Sequence, residues 1–350
     1  VERGKIKFIP DRYRKVYLHW LKNIRDWNIS RQIVWGIRIP AWFHETICVP
    51  KKGKENEMKK FQEIIVSPLQ PSCKFCDAKY VQDPDVFDTW FSSGQWPYLT
   101  LGFKNNGRHG KDFKEFYPTD VMETGWDILF FWVARMIMLG IYRTGKIPFK
   151  TIYLNGLVRD KDRQKMSKSK GNVIDPLGVA EVFGTDAVRM TLIVGNAAGN
   201  DIIISEDKIR GYRNFATKLW NVARFILAQD DSLTVKPKQT AADKKNLKEL
   251  EKIKGKVTKY LENFQFHRAA DLIYHYLWHE FADKIIEGYK PRLKEGSLKD
   301  RAAAQEVLGK ILKETLKMLH PFMPFITEEI WQQLPLKKKK KSLSIETWPA

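Results

Sequence analysis

From residue 205 onward the apolar positions fall at steps of three and four. Ile209, Tyr212, Ala216, Leu219, Ala223 and Ile226 make one stripe, and Leu247, Leu250, Ile253, Val257 and Leu261 a second. Phe266, Ala270, Ile273, Leu277 and Phe281 make a third, and Ala304, Leu308, Ile311 and Leu319 a fourth. That spacing puts each set on one helix face, and such faces predict a bundle that buries them together. Ser205 is placed to cap the first helix, with Glu206 and Asp207 at its positive end. Pro237 marks the loop that ends it. "LHPFMPF" stops the fourth helix, since Pro321 and Pro324 cannot continue it, and "TEEIWQQL" predicts a short helix beyond.

Before residue 205 the texture changes. "QEIIV", "KTIYLNGLV" and "MTLIVG" read as short strands alternating with helical patterns and Gly/Pro turns, as in α/β folds. "ILFFWVARMIMLGIY", at 128–142, is too short for a bilayer and is broken by Arg135, so it predicts a buried helix rather than an anchor. No membrane association is expected.

Composition sharpens this picture. The 350 residues, 43% hydrophobic with 12 Trp and 20 Phe, suffice for two folded domains. A net charge of +20 exceeds what solubility needs and points to a polyanion, nucleic acid before membrane. Cys48, Cys73 and Cys76 are the only cysteines, which argues for a reducing cytoplasm and against a disulfide framework. The opening "VERGKIKFIP" has neither the apolar core of a signal peptide nor an initiator Met, so the chain is expected to begin partway through a longer protein.

One stretch stands out against the aromatic background. "QKMSKSKGN" (164–172) offers ammonium groups, hydroxyls and backbone N–H groups that suit phosphate oxygens, with Gly171 allowing a sharp turn. By composition alone it could equally be a flexible linker. Its context narrows the choice: "NGLVRDKDRQKMSKSKGNVIDP" contains KMSKS unbroken, and "NISRQIVWGIRIPAW", "DVFDTWFSSGQWP", "YPTDVMETGWDILFFWVARMIMLG" and "HPFMPFITEEIW" occur around it. Together these segments, over about residues 1–335, resemble the class I aminoacyl-tRNA synthetases and, within them, the valyl-tRNA synthetase family.

The resemblance implies an α/β fold: the second half of a Rossmann-type catalytic domain over 1–204, an all-α anticodon-binding bundle over 205–335 and a basic tail or linker over 336–350. It implies a valine–tRNA ligase, which activates valine with ATP to valyl-adenylate, releases pyrophosphate and transfers the valyl group to tRNA(Val). Such an enzyme is expected to be cytoplasmic and monomeric and to use Mg2+ with the nucleotide. Lys165 and Lys168 match catalytic positions that stabilise developing phosphate charge, and Ser167 and Ser169 flank them in the ATP-binding loop. Asp127 matches a position that holds the ATP ribose, its plainer reading being a helix cap, and Gly156 and Leu157 match neighbours of the adenine. Asn155 stands where the family often has His.

Trp90, Ile128 and Trp132 match the lining of the valine side-chain pocket, and Ile128 and Trp132, four apart, would share a helix face. Ordinary core packing is the plainer fate of such aromatics. A small apolar box excludes isoleucine by size but separates threonine from valine by only about a hundredfold. No segment here matches the editing domain that answers this shortfall in the family, and no H-x-G-H tetrapeptide is present. The chain is therefore expected to hold the C-terminal portion of the enzyme and to be inactive by itself. The alternatives are an isoleucyl-tRNA synthetase portion, which would need a different pocket at Trp90 and Trp132, and a non-catalytic tRNA-binding module.

"CKFC" at 73–76 is half of a zinc knuckle without its second pair, and His44 and Cys48 are irregularly spaced from it, so a degenerate knuckle is favoured over bound zinc and no metal ligand is assigned. His275 and His279, four apart, fit a surface position or bundle packing better than a metal site. Arg210, Arg213, Lys218, Arg224 and Arg268 are suitable phosphate partners, though most read as solvated faces. The run "KKKKK" at 337–341 reads as a disordered solvated tail, with a contact to an RNA backbone as the sharper alternative.

Overall fold

The computed structural model describes residues 1–44, 48–49, 51–53, 63–76, 78–166, 171–229, 235–336 and 339–349. They form two compact units, Val1–Leu154 and Asn155–Ala350.

The first unit is built on β1 (Lys7–Ile9), followed by helix α1 (Arg12–Lys22). Short strands β2 (Ser30–Arg31), β3 (Ala41–His44), β4 (Ile64–Val66), β5 (Tyr80–Gln82) and β6 (Val86–Phe87) come next. Helices α2 (Thr89–Ser93), α3 (Trp96–Leu99) and α4 (Lys111–Phe116) then precede β7 (Thr119–Gly125), α5 (Ala134–Thr144) and β8 (Phe149–Asn155). β8 lies between β1 and β7, parallel to β1 with Phe8 opposite Ile152. Phe8, Tyr17, Leu129, Val133, Met136, Phe149, Ile152 and Leu154 bury themselves in one core beside this sheet. β3 pairs antiparallel with both β4 and β5, and β2 pairs with β6.

The long apolar run is less regular than its hydrophobicity predicts. Trp126–Ile128 form a 3-10 turn, Leu129–Val133 a π-helical turn, and only Ala134–Thr144 a regular α-helix, which Gly145 ends in the left-handed conformation (φ 70°). No described helix is long and apolar enough to cross a membrane.

The second unit opens with β9 (Val158–Arg159), α6 (Pro176–Phe183), α7 (Thr185–Ile193) and β10 (Ile202–Ile203), β9 and β10 pairing in parallel. "MTLIVG" is not a strand. Met190–Ile193 complete α7, because Asp186, Ala187, Met190 and Thr191 bury one helical face and Thr191 donates its hydroxyl to the Ala187 carbonyl at 2.8 Å. A short apolar run fits either period, and the helical phase of the preceding turn decides here.

The expected stripes then appear as α8 (Glu206–Leu227), α9 (Ala241–Glu262), α10 (Phe266–His275) and α12 (Leu298–Leu319), with α11 (Glu287–Glu295) between the last two. α10 runs on into a π-helical stretch, Tyr276–Ile286, before α11. Their buried residues form one core that includes Leu219, Leu250, Ile273, Phe281 and Leu308. Ser205 caps α8, its hydroxyl accepting from the Lys208 N–H at 3.3 Å. α13 (Pro324–Gln333) starts three residues before the expected helix, with Pro324 in its first turn and the buried Asp186 carboxylate accepting from Phe325 and Ile326.

Residues 339–349 are not a loose tail. Leu343 is buried, the Glu328 carboxylate accepts from the Ser342 hydroxyl and the Leu343 N–H, and Trp348 donates to the Thr258 hydroxyl. The lysine run concealed this, since the apolar anchors lie after it.

Candidate functional site

Gly156 begins the neck of the lysine loop. A Cβ there would lie 1.8 Å from the Asn200 carbonyl oxygen, so only glycine lets this strand close on residues 200–201. The next residues lock to the same segment. Leu157 donates its N–H to the Asp201 carboxylate at 3.0 Å and accepts from the Ile202 N–H at 2.8 Å, while the Arg159 guanidinium pairs with Asp201. Leu157 thus has its N–H committed to Asp201. Asn155, half-buried at the end of β8, holds a buried amide oxygen without a hydrogen-bond partner among the described residues.

Asp160 shapes the turn that follows. Its carboxylate accepts from the N–H groups of Asp162 and Gln164 at 3.0 and 2.8 Å, and Arg163 adopts φ 63°. Asn172, beyond the loop, donates its side-chain amide to Asp160 at 2.8 Å and to the Lys165 carbonyl at 3.3 Å. Lys165 itself is exposed, on a backbone bridge to Arg159. Ser167, Lys168 and Ser169 lie outside the described residues.

The pocket candidates belong to the first unit. Trp90 sits on α2, where the Asp88 carboxylate accepts its N–H at 3.1 Å and caps the helix. Trp132 donates its indole N–H to the Ser93 carbonyl at 3.3 Å, at the other end of α2, and the neighbouring Phe131 ring lies 6.1 Å from that of Trp90. The structure therefore joins Trp90 and Trp132 through one short helix. Ile128, half-buried, ends the 3-10 turn, so its spacing of four from Trp132 crosses a change of helix type rather than one regular face. Asp127 is exposed in the first turn and supplies no capping bond, which removes the helix-cap explanation for it.

The four residues weighed as a degenerate knuckle come together in space. His44, Cys48, Cys73 and Cys76 bring their donor atoms within 4.8 Å of one another. Cys48 and Cys73 sulfurs are 3.6 Å apart, and His44 Nε2 lies 3.2 Å from the Cys76 sulfur. Tetrahedral zinc with Zn–S of about 2.3 Å sets S···S edges of roughly 3.8 Å, close to what is seen. Pairing of β3 with β5, with His44 opposite Tyr80, carries His44 to the Cys-x-x-Cys turn. His44 on β3 and Cys48 just beyond it thus stand beside Cys73 and Cys76 through a strand pairing that spacing alone does not reveal. Burial pushes the Cys73 thiol up, but the N–H groups of Phe75 and Cys76 outweigh it and bring Cys73 down to about 6, a thiolate suited to a cation.

In the bundle, Arg210 pairs with Asp207 at 3.3 Å, Lys218 pairs with Asp283 and sits 4.6 Å from the Trp278 ring centre, and Arg268 lies 3.4 Å from the Gln265 amide oxygen. Asp207 and Asp283 partly neutralise Arg210 and Lys218, while the Gln265 amide leaves the charge of Arg268 in place. His275 and His279 are exposed and stack at 5.5 Å, with Asp271 and Asp283 at 3.5 and 3.6 Å, so they lie on the surface of the bundle rather than in its core.

Comparison with known proteins matches two stretches of the chain, the first of which runs past the boundary between the two compact units. The family described as "tRNA synthetases class I (I, L, M and V)" matches residues 1–205, and "Anticodon-binding domain of tRNA ligase" matches residues 243–350. The valine–tRNA ligase of Clostridium acetobutylicum is 44% identical over 100% of this chain and 38% of its own length. That of Symbiobacterium thermophilum is 45% identical over 100% of this chain and 37% of its own length. The chain thus spans well under half the length of the curated relatives it matches. Among solved structures, a LeuRS of Agrobacterium radiobacter K84, in ternary complex with tRNA and LeuAMS, is similar at TM-score 0.68 and 23% identity, over 96% of this chain and 44% of that one. The methionyl-tRNA synthetase of Mycobacterium tuberculosis, with methionyl-adenylate, is similar at TM-score 0.69 and 22% identity, over 94% of this chain and 59% of that one. The fold is accordingly that of class I synthetases, and the family match over residues 1–205 establishes the membership: this chain belongs to the class I tRNA synthetases of the isoleucine, leucine, methionine and valine group.

Proposed function

We propose that this chain is the part of a valine–tRNA ligase that carries the lysine loop, half of the amino-acid pocket and the anticodon-binding bundle. The enzyme joins valine to ATP, releasing pyrophosphate, and passes the valyl group to tRNA(Val). The observation that carries the reading is the neck of the loop. Gly156, Asp160, Asp201 and Asn172 fix both ends of a short lysine-bearing segment, leaving Lys165 exposed at its root. A fixed root with cationic side chains beyond it suits an arm that closes over ATP phosphates and opens for pyrophosphate.

Lys165 and Lys168 are the charge-stabilising groups in this reading, with Ser167 and Ser169 beside them on the phosphates. The uncapped, exposed Asp127 faces the ribose, and Gly156 and Leu157 border the adenine. Mg2+ accompanies the triphosphate, held mostly by phosphate and water. The amino-acid pocket is walled by Trp90, Ile128 and Trp132; the capped backbone of Trp90 at one end of α2 and the Trp132 indole bonded at the other support a small apolar box sized for valine. Valine is favoured over isoleucine by the two relatives at 44% and 45% identity. A zinc ion held by His44, Cys48, Cys73 and Cys76 ties the end of β3 to the turn that precedes β5. Three free cysteines at one site also fit a reducing cytoplasm. The bundle, with Arg213 and Arg224 among its basic residues, takes the anticodon arm of tRNA, and the enzyme acts as a monomer.

The test is valine-dependent ATP–pyrophosphate exchange by a chimera in which these 350 residues replace the aligned segment of a related valine–tRNA ligase. Exchange is expected, and Lys165→Ala should lower it by about a hundredfold or more, the cost of losing a preorganised charge at the transition state. No exchange with any amino acid, together with tRNA binding that weakens steeply with salt, would favour a non-catalytic tRNA-binding module instead.

A further inference from the structure

α2 is five residues long, too short to hold itself, so the direction in which Trp90 points is set by whatever grips its ends. One end is gripped by Trp132 at the Ser93 carbonyl. The other is gripped by Asp88, which is 5% exposed and fully engaged: one oxygen accepts from Trp90, and the other accepts from the Trp27 indole at 2.9 Å and the Arg31 guanidinium at 2.6 Å.

Arg135 completes the circuit. It follows Trp132 by three residues, is 8% exposed, and lies over the Trp27 ring at 3.5 Å and near the Phe131 ring at 5.8 Å. Its Nη1 is 3.7 Å from the Asp88 carboxylate and has no hydrogen bond among the described residues. Desolvation disfavours this buried cation, and the Asp88 charge and the Trp27 face offset that cost. The path therefore closes: Trp90 to Asp88, Asp88 to Trp27 and Arg135, Arg135 along the chain to Trp132, and Trp132 back to α2.

We propose that Asp88 and Arg135 are positioning residues that set the separation of Trp90 and Trp132, and through it the selectivity of the amino-acid pocket for a small branched side chain. The inference rests on the pocket reading above. Neither residue needs to touch the amino acid. Asp88→Asn keeps an acceptor for Trp90, sets an amide NH2 against the Trp27 and Arg31 donors, and releases the ionic hold on Arg135, so α2 and the Trp132 segment should separate slightly. Arg135→Met keeps bulk over Trp27 and removes the charge that ties the segment to Asp88. A pocket loosened in this way loses fit to valine first and rejection of isoleucine next.

In the chimera, each variant is expected to raise KM for valine about tenfold, to leave kcat within about threefold, and to narrow the valine-over-isoleucine preference about tenfold, the scale of one misfitted methylene. Trp27→Phe, which keeps the ring under Arg135 but removes the indole N–H, should fall between these and the parent. Lys150→Ala, which removes an exposed ion pair with Asp120, is the control and should change neither quantity. In the chain itself, Asp88→Asn should speed hydrogen exchange at residues 90–93 while β1 and β8 keep their protection. A parent chimera that ignores valine overturns the pocket reading. An active parent whose folded variants keep KM and preference overturns this inference alone. So does unchanged exchange at residues 90–93, or variants that lower only the melting temperature.

Discussion

Asn172 reaches back 12 positions along the chain to donate its side-chain amide to Asp160 at 2.8 Å, and the same amide reaches the Lys165 carbonyl at 3.3 Å. One side chain thus ties the exit of the lysine loop to its entrance. The loop's ends are held by neutral and charge-assisted hydrogen bonds, not by apolar packing, so its root can be loosened without opening a core.

Asn172→Ala should therefore lower kcat of pyrophosphate exchange about 10- to 100-fold in the chimera while leaving thermal stability within roughly 1 kcal/mol, because the bonds lost are partly exposed. Asn172→Asp should behave no better, since it places a second carboxylate against Asp160. Steady-state kinetics alongside thermal unfolding checks both. Equal activity in Asn172→Ala would show that the clamp has no catalytic consequence.

Gly156→Ala tests the strand closure below it. The added methyl would sit 1.8 Å from the Asn200 oxygen, a backbone atom that cannot rotate away. The expected cost is at least the 1–3 kcal/mol typical of overpacking, roughly, with activity lost along with it. Urea unfolding measures the first and exchange the second. A variant as stable as the parent would mean that the segment at 200–201 is free to retreat.

How far these features were legible differs from residue to residue. The bundle stripes were plain because a helix face repeats at a fixed period and each repeat is visible within the segment. KMSKS was plain because its chemistry is contiguous. The clamp at Asn172 was not, since nothing in a string of residues distinguishes an Asn that spans a loop from one that faces solvent. The same holds for Asp88: the "DTW" segment was noted for Trp90, while the aspartate before it, whose cap position could have been read from the Asp-x-Trp spacing, passed as background. In sequence Arg135 reads only as a break in an apolar run. His44 and Cys48 look too irregularly spaced to join Cys73 and Cys76, because strand pairing, not spacing, brings them there. "MTLIVG" shows the converse failure, a β-rich composition held helical by the turn that precedes it.

The thiol cluster leads to a measurement of its own. The purified chain should carry about one zinc per molecule by elemental analysis, and His44→Ala or Cys76→Ala should remove it. Chelation should lower the unfolding temperature of the parent and leave those variants unchanged. A parent with no bound metal after reconstitution in zinc would show that the four donors only pack together.

The bundle offers a pH test. Asp243 is wholly buried at the start of α9, where the Arg292 guanidinium at 2.7 Å, the Tyr289 hydroxyl and the Thr240 N–H and hydroxyl outweigh burial and hold its carboxyl far below the usual carboxylate range. A depressed pKa gives stability that is present above the unfolded-state value of about 3.9 and is lost as pH falls through that value towards the folded one. Asp243→Asn should destabilise by about 3–5 kcal/mol at pH 7, since it leaves Arg292 without its charge partner. The gap between parent and variant should shrink steadily below about pH 4. Urea titrations at pH 7 and at successively lower pH compare the two, and a gap independent of pH would assign the cost to packing.

The account stands most directly on which amino acid the chimera activates. Initial rates of ATP–pyrophosphate exchange with valine and with isoleucine, measured side by side, give the ratio of kcat/KM. The pocket walled by Trp90, Ile128 and Trp132 predicts valine ahead by about a hundredfold or more. Isoleucine used as well as valine, or no exchange with either, would contradict it.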